Sequence, residues 1–198
     1  MAYRDILVSG ASIAGLALAY WLRRYGFNPA LVERAPAPRD GGYAVDLRGA
    51  AREAAERMGI MADVRRAHIG TSGLSYVNGA NEPVASMSSD LLGDSGGAIA
   101  EIEILRGDLI RILYAAAGDD VEYIFDDSLS SISQDDEGVG VTFERGEPRR
   151  FDLVVGLMGS TPKCARLSSA MSLGSFATSA PTCRFLPLPT TLTSMAGN

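Results

Sequence analysis

The chain has 198 residues, 46% apolar and 21% charged, with a formal net charge of −6. That length suits one domain or one and a half, with enough apolar material for a sizeable core. An acidic chain without a basic cluster excludes nucleic acid as a partner, because phosphate binding needs clustered Lys and Arg, and no apolar run reaches the roughly 18 residues of a membrane-spanning helix.

The opening MAYRDILVSG passes straight into a strand, so no secretory leader is expected and the chain reads as cytoplasmic. Residues 5–9 (DILVS) predict a short buried strand. Residues 13–25 predict a helix, with Ile13, Leu16, Ala17, Ala19, Tyr20 and Leu22 at helical spacing and Gly26 as its stop. Residues 30–33 (ALVE) predict a second strand. Strand, glycine turn, helix and strand fit within about 30 residues, the size of a βαβ unit. Pro36, Pro38, Gly41 and Gly42 mark a loop. An extended stretch follows at 43–47, then helices at 50–58 and 61–68 broken at Gly59. A hairpin is expected from 73–77 and 84–87 around NGANE, then a Gly/Ser/Asp loop at 88–98. Residues 101–105 alternate like a strand, and 107–117 predict a helix stopped by Gly118. Strands are expected at 121–125, 129–134 and 138–143, and a final buried one at 151–155. No internal repeat is visible.

From Leu157 onward Ser, Thr and Pro dominate and the periodicity fades. All 24 acids lie in residues 1–156, against 15 Arg. The remainder holds Lys163, Arg166 and Arg184 and no acid, and Lys163 is the chain's sole lysine. Cys164 and Cys183 also lie there, without metal-ligand spacing, and with a single histidine no zinc site is expected. That histidine, His68, sits beside Arg65 and Arg66 and reads as a surface residue rather than a triad member.

The chemistry concentrates at the first turn. VSGASIAG places Gly10, Ser12 and Gly15 at the G-x-G-x-x-G positions, with serine for the middle glycine. The first glycine permits the tight turn, the middle residue must be small for backbone to approach a pyrophosphate, and the third lets helix pack on strand. N–H groups at the helix start then face the phosphates, helped by the helix dipole. Serine is small enough to keep this arrangement at some steric cost. Glu33 ends the next strand, 23 residues after Gly10, where a carboxylate can accept hydrogen bonds from ribose hydroxyls. Dinucleotide binding follows. A short-chain dehydrogenase would also need a Tyr-x-x-x-Lys pair, but position 159, four before Lys163, is Gly159.

The stretch VSGASIAGLALAYWLRRYGFNPALVERAP resembles the FAD-binding start of flavin-dependent monooxygenases of the p-hydroxybenzoate hydroxylase type. So do GGYAVDLRGAAREAAERMG and EILRGDLIRIL, and the resemblance runs from about Tyr3 to Gly156. It implies an α/β fold: a Rossmann-like FAD-binding domain with a central parallel sheet and an accessory β-meander over residues 1–156, then an irregular C-terminal tail over 157–198. It also implies that Gly10, Ser12 and Gly15 hold the pyrophosphate and Glu33 the ribose, with Ile13, Ala14 and Arg34 as further cofactor-binding residues. Asp46 would lie near the flavin ring, Arg106 near the ribityl-phosphate region, and Arg39 is a weaker candidate for contacting NADPH. In that family FAD carries the difficult chemistry: NAD(P)H supplies electrons, oxygen is activated, and an aromatic or other electron-rich small molecule is hydroxylated. No acid/base pair in this chain stands out as catalytic. The alternatives are a non-catalytic FAD-binding module and a non-oxygenating FAD oxidoreductase.

The same family follows its last strand with Gly-Ala-Asp-Gly-x-x-Ser-x-Val-Arg, absent here after FDLVVG. Nucleotides able to encode residues 156–164 can also be read one base out of frame as Ala-Asp-Gly-Leu-His-Ser-Lys-Val. The expectation is a frameshift near codon 156, with residues 157–198 out of frame and disordered, and the enzyme truncated and impaired; the alternative is a genuine, unusual C-terminal extension.

Overall fold

The computed structural model describes residues 4–39, 41–70, 73–88 and 102–157. In chain order the elements are β1 (Asp5–Ser9), α1 (Ile13–Arg24), β2 (Asn28–Glu33), β3 (Ala44–Asp46), α2 (Gly49–Arg57), α3 (Met61–Arg66), β4 (Gly73–Val77), β5 (Pro83–Ser88) and β6 (Glu103–Leu105). They continue with α4 (Arg106–Ala117), β7 (Glu122–Phe125), β8 (Leu129–Asp135), β9 (Gly138–Phe143), β10 (Arg149–Phe151) and β11 (Leu153–Gly156). The predicted tail beyond Leu157, with both cysteines and Lys163, lies outside the described residues, as do Glu101 and most of the predicted 88–98 loop.

Four strands form a parallel sheet in the order β11-β1-β2-β7. Its apolar runs are explained by burial on both faces. In β1, Ile6 and Val8 enter one core while Leu7 enters another; in β2, Leu31 enters the first while Ala30 and Val32 enter the second. The first core lies against the helices, with Leu16 and Ala19 of α1 and Leu109, Ile110 and Leu113 of α4. The second lies against the antiparallel meander β10-β9-β8, through Leu129, Val139, Val141, Phe143 and Phe151. The result is three layers: helices, parallel sheet, meander. Two small antiparallel ribbons complete the described structure, β3 with β6 and β4 with β5. Among the described residues no helix is long and apolar enough to cross a membrane.

Two expectations change. The predicted final strand at 151–155 is two strands in two sheets: Phe151 pairs with Val139 of the meander, whereas Leu153 pairs with Ile6 of the parallel sheet. Asp152 makes the break. Its carboxylate accepts hydrogen bonds from the N–H groups of Arg4 and Asp5 at 2.7 and 2.8 Å, while its own N–H donates to the carbonyl of Asp5. His68 is the second case. The helix predicted to include it stops at Arg66, and His68 is half-buried in a bridge to Ile104, with Nδ1 3.2 Å from the N–H of Glu103.

Where the parallel sheet meets the meander, Asp127 is buried at 6% exposure. Burial pushes its pKa up. Hydrogen bonds from the N–H groups of Gly146, Ser128 and Arg145 outweigh that and hold it below the usual carboxylate range. A lowered folded pKa means that the stabilisation is present above the unfolded value of about 3.9 and is lost as pH falls through the folded value. Asp127→Ala should therefore cost about 2 kcal/mol at pH 7, the scale of hydrogen bonds to a buried charge. Urea unfolding of both chains across pH should show the difference shrinking below about pH 4.

Candidate nucleotide-binding site

The turn after β1 is built by two glycines that touch. Gly10 has φ +115°, a conformation that L side chains rarely adopt, and its N–H donates to the carbonyl of Val32 at 2.8 Å. A β-carbon on Gly15 would lie well inside the carbonyl oxygen of Gly10 and 3.0 Å from its carbon. The first turn of α1 therefore sits directly on the end of β1. Ser12 is the N-cap of α1 with φ −105° and ψ −166°. This extended backbone is open to any residue, so the expected steric cost of serine is not seen in the backbone. Ile13 and Ala14 begin the helix; Ala14 is exposed and Ile13 packs against the core.

Glu33 lies beside this turn because β1 and β2 run parallel and in register, Val8 opposite Leu31 and Ser9 opposite Val32. Its carboxylate accepts hydrogen bonds from the N–H of Ala11 (Oε2, 3.1 Å) and of Ala35 (Oε1, 3.0 Å). Arg39 adds an ion pair at 3.2 Å. Glu33 thus clasps the glycine turn to the end of β2 before any ligand is considered. Arg34, the next residue, is exposed.

Arg106 reaches the same place from 94 residues away. It is the first residue of α4, and its Nη2 donates to the Ser12 hydroxyl at 2.7 Å. Its stem is packed by the loop before β3. A β-carbon on Gly42, which has φ +110°, would lie 3.4 Å from Arg106 Cβ, and the Arg106 N–H donates to the carbonyl of Tyr43. Asp46 is not brought to the turn: it is exposed on β3 opposite Glu103, and its partner is Arg48 at 3.0 Å.

The starts of α1 and α4 therefore lie at the same end of the helix pair, bridged by the Arg106 side chain, so the positive ends of both dipoles face that side and Arg106 adds a full charge there. Such an arrangement can hold an anion on backbone N–H groups, with Glu33 as the adjacent acceptor. The link from Ser12 to Arg106 and the bond from Ala11 to Glu33 escape sequence reasoning. A groove of about 750 Å³ lined by Tyr20, Met58, Ile60, Asp63 and Arg111 shares no residue with this site.

Gly15→Ala tests the close approach directly. With backbone as the obstacle, the substitution should cost about 3 kcal/mol, the upper end for overpacking, measured by urea unfolding without ligand.

No protein-family model matches the chain. It is 43% identical over 167 residues to the uncharacterized protein Rv1260 of Mycobacterium tuberculosis, covering 83% of this chain and 44% of that one. It is 40% identical over 158 residues to a protein named flavin-dependent monooxygenase from an unknown prokaryotic organism, covering 79% of this chain and 40% of that one. Among solved structures, the tetracycline destructase Tet(51) superposes with a TM-score of 0.68 at 40% identity, over 80% of this chain and 39% of that one. The chain thus spans less than half the length of these relatives. Over the part they share, it is similar in sequence to a protein named flavin-dependent monooxygenase and in sequence and fold to a tetracycline destructase.

Proposed function

We propose that the described residues are the FAD-binding part of a flavin-dependent, NAD(P)H-consuming monooxygenase of the p-hydroxybenzoate hydroxylase type, acting on an aromatic or other electron-rich small molecule. The observation that carries this reading is the meeting of the Gly10–Gly15 turn, Glu33 and Arg106 at the carboxyl end of β1 and β2, where parallel α/β sheets bind their ligands. The similarity to proteins named flavin-dependent monooxygenases supports the choice of flavin among dinucleotides.

The residues fit FAD. The N–H groups at the start of α1, which Gly10 and Gly15 let begin against the end of β1, would hold the diphosphate, and the Arg106 guanidinium would neutralise part of its charge. Oε2 of Glu33, bonded by the single N–H of Ala11, keeps acceptor capacity for a ribose hydroxyl. Arg39 holds Oε1 of Glu33, so its role in this reading is to fix that carboxylate, ahead of any contact with NADPH. Ile13 and Ala14 supply N–H groups, Arg34 lies next to the ribose position, and Asp46 is the residue proposed for the side of the flavin ring. When bound, FAD supplies the electron transfer that links NAD(P)H to oxygen. The overall balance takes in NAD(P)H, oxygen, a proton and substrate, and gives NAD(P)⁺, water and hydroxylated product.

The change of composition at Leu157 supports a second proposal, that residues 157–198 are read out of frame. The nucleotide sequence around codon 156 decides it: family-like coding in the neighbouring frame is expected, and its absence there would refute the idea.

Titration with FAD, followed by quenching of flavin fluorescence, tests the main reading. The wild-type chain should bind. Glu33→Ala should weaken binding at least tenfold, on the scale of about 1.5–3 kcal/mol for hydrogen bonds to a charged group, and Arg106→Ala by a similar factor. Binding unaffected by both would refute the site. FAD binding without NADPH oxidation in the presence of oxygen would favour a non-catalytic module.

A further inference from the structure

Serine at an N-cap ordinarily turns its oxygen onto the N–H of the second or third helical residue. Ser12 is the N-cap of α1 and makes no such bond. Its Oγ instead accepts a hydrogen bond from Arg106 Nη2 at 2.7 Å. The diversion matters because Ala14 and Gly15, the second and third residues of α1, carry the N–H groups that a bound diphosphate would use. A hydroxyl turned onto them would compete with the ligand for the same donors.

We infer that Ser12 is a positioning residue: Arg106 draws its hydroxyl away from Ala14 and Gly15, which keeps the start of α1 open, while the hydroxyl aims the guanidinium at the same point. The inference rests on the FAD-binding reading for its purpose, but the diversion itself does not. Two observations support a built arrangement. The backbone of Ser12 is unstrained, so nothing in the chain's path prevents an ordinary cap. The Arg106 main-chain N–H is bonded to the carbonyl of Tyr43 and its stem passes Gly42 with room for no more than a β-carbon at ordinary contact, so the side chain starts toward Ser12 from an anchored position. The consequence runs against the glycine fingerprint, in which position 12 would be glycine: in this chain the hydroxyl contributes to the site.

Amide hydrogen exchange on the flavin-free chain reads the diversion. Ala14 and Gly15 should exchange rapidly in the wild type. In Arg106→Ala they should slow several-fold as Ser12 returns to capping, and the added Ser12→Ala change should restore fast exchange. Protection already present in the wild type, or none gained in Arg106→Ala, overturns the inference. FAD titration reads the purpose. Ser12→Ala should raise Kd about tenfold, the scale of one hydrogen bond to a charged partner, with Ser12→Thr within about twofold of wild type because it keeps the hydroxyl. In the Arg106→Ala background Ser12→Ala should cause no further loss; an equal loss in both backgrounds overturns the inference. If the wild type binds no FAD, the functional reading above fails, and the exchange data alone decide whether Arg106 diverts the Ser12 hydroxyl.

Discussion

The contact between Gly15 and the carbonyl of Gly10 is the constraint from which the rest of the described structure follows. Without a side chain at position 15, the first turn of α1 can start against the end of β1. That start sets the path of the whole helix, so Leu16 and Ala19 fall onto the sheet beside Ile6, Val8 and Leu31. The helix then returns the chain to β2 in parallel register with β1, which brings Glu33 level with the turn. Its bond to the Ala11 N–H closes the loop. The glycine requirement is therefore a matter of packing first, and the openness toward a ligand is a consequence of it.

Much of this was legible from the chain because it is local. The apolar spacing of α1, the glycines and the terminal glutamate all lie within the first 33 residues. The spacing alone is enough to place strand, turn, helix and strand in order. Two of the meander strands, β8 and β9, were readable for the same reason, since alternation over six or seven residues is a local signal, whereas the three residues of β10 were not. What could not be read is long-range. Phe151 and Leu153 sit in one apolar run, and only their partners, Val139 and Ile6, show that they belong to different sheets. The arginine of LRGDL was singled out by resemblance, yet nothing in its neighbourhood announces a hydroxyl 94 residues earlier. Asp46 shows the reverse: a residue singled out by resemblance that the fold pairs with its own neighbour Arg48.

The helices α1 and α4 are also joined at their other ends. Arg23, in the last turn of α1, donates to the carbonyl of Ala117 at 2.6 Å and pairs with Asp120, just beyond the end of α4. With Ser12 bonded to Arg106 at the starts and Arg23 bonded to Ala117 at the ends, the two helices run side by side in the same direction. Parallel neighbours place like ends of their dipoles together, an arrangement that electrostatics alone disfavours.

At the carboxyl ends of the helices the Arg23 guanidinium answers that repulsion through its bond to the carbonyl of Ala117, while sharing its charge with Asp120. At the starts it is not relieved in the same way. The charges supplied there are of both signs: Arg106, whose hydrogen-bond partner on α1 is a neutral hydroxyl, and Asp108 in the first turn of α4, which pairs with Arg111. Glu33 is nearby, but its carboxylate already holds the N–H groups of Ala11 and Ala35 and the guanidinium of Arg39. The two ends of the helix pair thus differ in one respect: the Arg23 guanidinium is ion-paired with Asp120, whereas the Arg106 guanidinium is bonded to a neutral hydroxyl. A guanidinium bonded to a neutral hydroxyl beside two helix starts keeps its charge available to an anion at that end.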